Sequence, residues 1–129
     1  MKVLLVDDEE DIRKIGRLSL QAVGKFETVI ASSAAEAVTL ARSERPDLIL
    51  MDMMMPGMDG LEALAELRRD PELSAIPVLF MTARVQRDEV EQYLRLGAIG
   101  VIQKPFDPML LPAEINRIMD AFRCSQRSL

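Results

Sequence analysis

Histidine is absent from this chain, and cysteine occurs once, as Cys124. Those two absences remove metal sites built on imidazole or thiolate ligands, together with Ser-His and Cys-His nucleophilic catalysis. A lone cysteine cannot close an internal disulfide, which suits a reducing compartment and an expected cytoplasmic location. Basic residues are in deficit, 16 against 21 acidic, for a net charge of −5. Phosphate backbones are bound by basic faces, so direct nucleic-acid contact is not expected. No run approaches the about 18 apolar residues of a membrane-spanning helix. The opening stretch MKVLLVDDEED meets acids too soon to be a signal peptide. What remains for chemistry is carboxylates, hydroxyls and lysine.

The composition is ordinary for a soluble globular domain, 49% apolar and 29% charged over 129 residues. Short apolar runs at 3–6, 28–31, 48–51, 78–81 and 99–102 alternate with helical patterns. Unbroken runs this short suit strands buried on both faces of a parallel sheet. A first helix is expected over about 9–23, with Ile12, Ile15, Leu18 and Ala22 facing inward and Gly24 ending it. The second opens at Ser33-Ala-Ala-Glu36, a capping box, and stops before Pro46. The third covers about 58–69 with Leu61, Leu64 and Leu67 inward. The fourth covers about 87–96, uses Val90, Tyr93 and Leu94, and stops at Gly97. The fifth begins at Asp107-Pro108 or, because Pro112 lacks a backbone donor, only near Pro112. Its Ile115, Ile118, Met119 and Phe122 face the core. Five strand–helix units imply right-handed crossovers and a doubly wound α/β sheet with helices on both faces. One domain over 1–124 is expected, with a short tail over 125–129 and no output domain.

In open α/β sheets, sites form beyond the carboxyl ends of the strands. The first expected strand runs into Asp7-Asp8, the third into Asp52, the fourth into Thr82-Ala83 and the fifth into Lys104-Pro105 after Gln103. If these strands are neighbours, three carboxylates, a hydroxyl and an ammonium share one edge. Clustered carboxylates raise one another's pKa, and a hard divalent cation relieves that cost. Oxygen-only donors favour Mg2+. Lys104 adds a point charge and Thr82 a neutral donor. Such a set can hold a phosphoryl group for in-line attack by a carboxylate, with Asp52 as the nucleophile and an aspartyl phosphate as product.

The acidic pair in LLVDDEED, Asp52 in LILMDMMMPGMDG, Thr82-Ala83 in FMTAR and Lys104-Pro105-Phe106 occur in one order, each at a strand end. On those residues the chain resembles, from Lys2 to about Phe122, the chemotaxis-regulator-like receiver domains of two-component response regulators. The resemblance implies a flavodoxin-like (βα)5 fold with strand order 2-1-3-4-5. It implies that Asp52 accepts a phosphoryl group from a histidine kinase or histidine phosphotransfer protein and that the domain then controls a downstream protein. A monomer or a phosphorylation-dependent dimer is implied. Mg2+, or Mn2+ in its place, would be held by Asp8, Asp52 and the backbone carbonyl of Met54, with Asp7 acting through water. Lys104 would contact the phosphoryl group and form a cis bond to Pro105, and Thr82 would turn toward the phosphoryl group on activation. One position departs from the family: Val101 stands where many members carry an aromatic residue three before the lysine. The signal is therefore expected to pass through the loop after Thr82 and the fourth helix. Met54 and Arg84 are expected to flank the phosphoryl group and slow its hydrolysis.

Plainer readings absorb other residues. Glu10 and Asp11 read as acids at a helix start, and Asp59 as a helix cap. Met53 to Met55 read as adaptable core filler rather than Cu(I) ligands. A flavin carrier on the same fold needs a phosphate-cradling loop where the acidic block stands. An aspartate-nucleophile phosphatase needs an acid two residues after the nucleophile, where Met54 stands. The domain is thus not expected to turn over an external substrate. A receiver-like module that binds partners without phosphorylation is the alternative.

Overall fold

A computed structural model describes residues 1–83 and 86–127. Five parallel strands form one sheet: β1 (Lys2–Val6), β2 (Glu27–Ala31), β3 (Leu48–Asp52), β4 (Val78–Thr82) and β5 (Gly100–Gln103). Their order is β2-β1-β3-β4-β5, as the family resemblance implies. Helices α1 (Glu10–Leu18), α2 (Ala34–Glu44), α3 (Gly60–Arg69), α4 (Arg87–Arg95) and α5 (Leu111–Arg127) fill the connections. α5 thus continues three residues beyond Cys124.

Strand periodicity of two divides the core into two layers. Leu4, Val6, Ile49, Met51 and Phe80 point to the side covered by α2, α3 and α4, where Ala37, Ala41, Leu64, Leu67 and Tyr93 meet them. Val3, Leu5, Leu50, Leu79 and Ile102 point the other way, onto Leu20, Leu111, Ile115 and Met119. β3 and β4 are buried along their whole length, which explains why they read as unbroken apolar runs.

Several local expectations are met by identifiable bonds. Ser33 caps α2 by accepting the Glu36 N–H at 3.2 Å, and α2 closes on Arg45, left-handed, just before Pro46. Asp59 caps α3 by accepting the Glu62 N–H at 2.9 Å. α5 begins at Leu111, so Pro112 lies in the first turn, where no intrahelical donor is needed.

The inward face of the first helix differs from the expectation. Ile15 is 44% and Leu18 68% exposed, while Gly16, Ser19 and Leu20 are buried. Gly16 is the point of closest approach, since a Cβ there would stand 2.7 Å from Leu5 Cδ2. After Leu18 the helix continues as a π-helical segment, Ser19–Val23, closed by the Gly24 N–H on the Ser19 carbonyl at 3.1 Å. That change of period turns Ser19 and Leu20 inward. Gly24 itself is right-handed, at φ −82°, rather than a left-handed cap. Leu94 of α4 is likewise exposed, at 45%, leaving Tyr93 as that helix's buried residue. No helix among the described residues is long and apolar enough to cross a membrane.

Candidate functional site

The register of the sheet brings the polar strand ends together. β1 lies against β3 with Val6 paired to Met51, so Asp7 and Asp52 emerge side by side. Asp52 pairs with Met81 on β4, and Thr82 pairs with Gln103 on β5, next to Lys104. Backbone bonds extend this edge past the strands: Met53 N–H to Met81 carbonyl at 2.9 Å, and Lys104 N–H to Thr82 carbonyl at 2.8 Å.

Lys104 is the hub. Its Nζ lies 3.0 Å from an Asp7 carboxylate oxygen and 3.3 Å from one of Asp52. Glu9 approaches the same ammonium at 3.9 Å. Asp7 is fully buried; its other carboxylate oxygen accepts the Glu9 N–H at 2.9 Å, and its main-chain carbonyl accepts from Arg13 at 2.8 Å. Asp52 is 4% exposed and accepts the Met54 N–H at 3.1 Å. The Lys104–Pro105 bond is cis.

Burial pushes the Asp52 carboxyl above the ordinary carboxylate range, and the neighbouring Asp7 charge adds to the push. The Met54 N–H and the Lys104 ammonium oppose it in part. For Lys104, burial favours the neutral amine. The two carboxylates outweigh that effect and hold its pKa above the usual lysine value. One ammonium therefore serves more than one negative charge, and the edge retains an excess of anionic oxygen.

Asp7, Asp8, Glu9 and Asp52 each offer an oxygen, and the four oxygens lie within 4.8 Å of one another. An all-oxygen, net anionic set in which one carboxyl resists ionisation fits a hard divalent cation. Of the residues expected here, Asp7, Asp8, Asp52 and Lys104 are brought together. Thr82 is buried at the end of the next strand and shares a cleft with Met53 and Met54. The Met54 side chain is 75% exposed beside Asp52. Arg84 lies outside the described residues.

Glu9 is a cluster member that the sequence reading overlooked. It is the N-cap residue of α1, extended at φ −90° and ψ 121°, yet its side chain makes no capping bond. The signal was the third consecutive acid in Asp7-Asp8-Glu9, read as belonging to the helix start.

A doubly wound parallel sheet of order β2-β1-β3-β4-β5, carrying carboxylates and a lysine at its carboxyl edge, is the arrangement of a receiver domain. The sequence pattern of the response regulator receiver domain matches residues 3–116, and the chain belongs to that family. It is 40% identical over 118 residues to a probable transcriptional regulator, ycf27, of Guillardia theta, covering 92% of this chain and 45% of that protein. It is 36% identical over 117 residues to the phosphate regulon transcriptional regulatory protein PhoB of Pseudomonas aeruginosa, covering 91% and 51%. The chain thus spans about half the length of these curated relatives. The solved structure of chemotaxis protein CheY4 of Vibrio cholerae superposes with a TM-score of 0.84 at 32% identity, covering 91% of this chain and 97% of that one.

Proposed function

We propose that this receiver domain takes a phosphoryl group onto Asp52 from a histidine kinase or histidine phosphotransfer protein in the cytoplasm, and that the phosphorylated state controls a downstream protein. The observation that carries the reading is the Lys104 ammonium bridging Asp7 and Asp52 at 3.0 and 3.3 Å within the carboxylate cluster. The Asp52 carboxylate oxygen attacks phosphorus, an O–P bond forms, and the donor's N–P bond breaks. The bonding pair returns to the imidazole nitrogen, which takes a proton from solvent.

Asp52 is held for that attack by the Met54 N–H on one oxygen and Lys104 on the other. As the phosphoryl group arrives, Lys104 exchanges a carboxylate for a phosphoryl oxygen, and the Thr82 hydroxyl supplies a neutral donor at the next strand end. Asp8, Asp52 and the Met54 carbonyl would hold Mg2+, or Mn2+ in its place, with Asp7 acting through water. The cation supplies charge neutralisation of the phosphoryl oxygens. Met54 stands at the mouth and hinders water, so that hydrolysis of the acyl phosphate is slow.

Incubation with radiolabelled acetyl phosphate and Mg2+ tests the reading. One label per chain is expected, absent in Asp52→Asn and strongly reduced by chelation. Equal labelling of Asp52→Asn would refute it.

A further inference from the structure

At the amino ends of β4 and β5, opposite the carboxylate edge, α3 sends one arginine inward. Arg68, in the last turn of α3, is half-buried and donates to the main-chain carbonyls of Ile76 at 3.0 Å and Gly97 at 2.9 Å. Gly97 makes room for it: at φ +113° it carries no side chain, and an added Cβ would stand 3.1 Å from Arg68 Nε. Among the described residues no carboxylate pairs with this guanidinium, in a chain that holds 21 acids against 16 bases. Burial pushes its pKa below the ordinary arginine value, with no acid to oppose the push. The two carbonyls engage two of its N–H groups and supply no counter-charge.

The guanidinium borders a hollow of about 300 Å³ whose other walls include Ser74, Pro77, Ile99, Phe122 and Gln126. A second hollow of about 350 Å³ shares Ile99 and Phe122 with the first and adds the exposed Arg117. None of the described residues lining either hollow is acidic. Each volume is at the small end of the range for ligand pockets. A clasp that only tied the loops before β4 and β5 to α3 accounts for the two carbonyl bonds. It does not account for an acid-free hollow with an apolar floor and a second arginine beside it.

We infer that this hollow is a binding site for a small organic acid, whose carboxylate pairs with Arg68 and whose apolar body lies on Ile99 and Phe122. A guanidinium offers a carboxylate paired N–H donors, and such bonds strengthen where water is partly excluded. One cation at the wall matches a single negative charge, which favours a carboxylate over a phosphate dianion. Gln126 supplies a neutral donor beside it. Arg117, reached across Ile99 and Phe122, gives a second acid group a partner. The bound acid supplies the missing counter-charge and joins the loops before β4 and β5 to the end of α5.

Titration of isotope-labelled protein with benzoate, glutarate, phosphate and chloride at equal ionic strength, followed by NMR, tests the site. Benzoate and glutarate should shift the Arg68 Nε–H and the Ile76 and Gly97 amides saturably, with dissociation constants on the order of 1 mM for ligands of so few atoms. The Asp7 and Asp52 amides should stay in place. Arg68→Gln should abolish the response. Because that change also removes the clasp, Ser74→Asp provides an independent arm: it sets a carboxylate on the wall of the hollow, should keep the fold, and should weaken benzoate by at least about tenfold. Arg117→Gln should weaken glutarate and leave benzoate unchanged. Absence of a saturable shift at about 10 mM acid would overturn the site. So would a saturable shift of the same resonances by phosphate or chloride, or undiminished benzoate binding to Ser74→Asp.

Discussion

Replacing Lys104 by methionine removes the ammonium and keeps most of the side-chain volume, so the loss measures charge rather than packing. In the native arrangement Lys104 is paired to Asp7 at 3.0 Å and to Asp52 at 3.3 Å, with both carboxylates nearly sealed from water. Removing one member of a buried ion pair costs about 3–5 kcal/mol, because the other member keeps its desolvation penalty. Each carboxylate retains one backbone N–H, from Glu9 and from Met54, which places the expected loss near the lower end, about 3 kcal/mol. For a domain of this size that corresponds to a fall in Tm of roughly 10 °C. The loss depends on pH in a definite direction. The Asp52 carboxyl is already raised above the ordinary carboxylate range by burial and by Asp7, and it rises further without the lysine. Stability contributed by a raised carboxyl is present below the unfolded-state pKa of about 4 and declines as pH climbs through the folded value. The deficit of Lys104→Met should therefore widen from mildly acidic to neutral pH in metal-free buffer. Mg2+ at about 100 times its dissociation constant should raise the variant by about 2.7 kcal/mol over its metal-free form, close to the stability of the metal-free wild type. Thermal unfolding followed by circular dichroism, across pH and with or without Mg2+, gives all three quantities. A variant matching the wild type in metal-free neutral buffer, or one whose deficit ignores pH and whose own stability ignores Mg2+, would refute the electrostatic account of this edge.

Asp52→Asn removes the charge that burial and Asp7 disfavour, so the variant should be more stable than the wild type in metal-free neutral buffer and should lose that advantage when Mg2+ is added; calorimetry checks both arms. Gly97 sits at φ +113°, and an added Cβ would stand 3.1 Å from Arg68 Nε. Gly97→Ala should cost about 1–3 kcal/mol in denaturant unfolding while leaving labelling by acetyl phosphate stoichiometric. Leu18 and Met109, 68% exposed each, border an apolar hollow with Ile15, Ala22, Val23 and Pro108. Changing both to serine removes only exposed apolar surface, so the unfolding midpoint and the labelling by acetyl phosphate should both stay at the wild-type level.

The sheet was legible because its five strands are short, apolar and separated by helix-length intervals, and the polar residues at their ends stand out against that background. Asp52 stands out in the sequence because it ends a buried apolar run, where a charge needs a purpose, whereas Lys104 follows a half-covered strand and counts only together with the acids at the other strand ends. The first helix was harder. A wheel of period 3.6 puts Ile15 and Leu18 inward, but the missing Cβ of Gly16 sets the contact with Leu5 and the π-helical segment resets the phase after Leu18. A glycine on a helical wheel looks neutral, and a π turn has no strong sequence mark.

Long-range bonds were illegible for a different reason. Lys104 reaches Asp7 across 97 residues, and the Ser19 hydroxyl donates to the Pro108 carbonyl across 89. The first was anticipated only because two charges of opposite sign follow strands of one sheet. The second joins a serine in a helical stretch to a backbone carbonyl, and nothing in the residue types announces it. Yet Pro108 lies four residues beyond Lys104, so this bond ties the lysine's loop to the helix that begins just after the Asp7-Asp8-Glu9 acids. Tyr93 belongs with this class. In the sequence it is one apolar residue among three on a short helix; in the fold it is that helix's buried residue, edge to face against Phe80 and lining one cleft with Thr82. The polar edge is written in residue types at strand ends, whereas the seating of α4 depends on which of its few apolar side chains reaches the core.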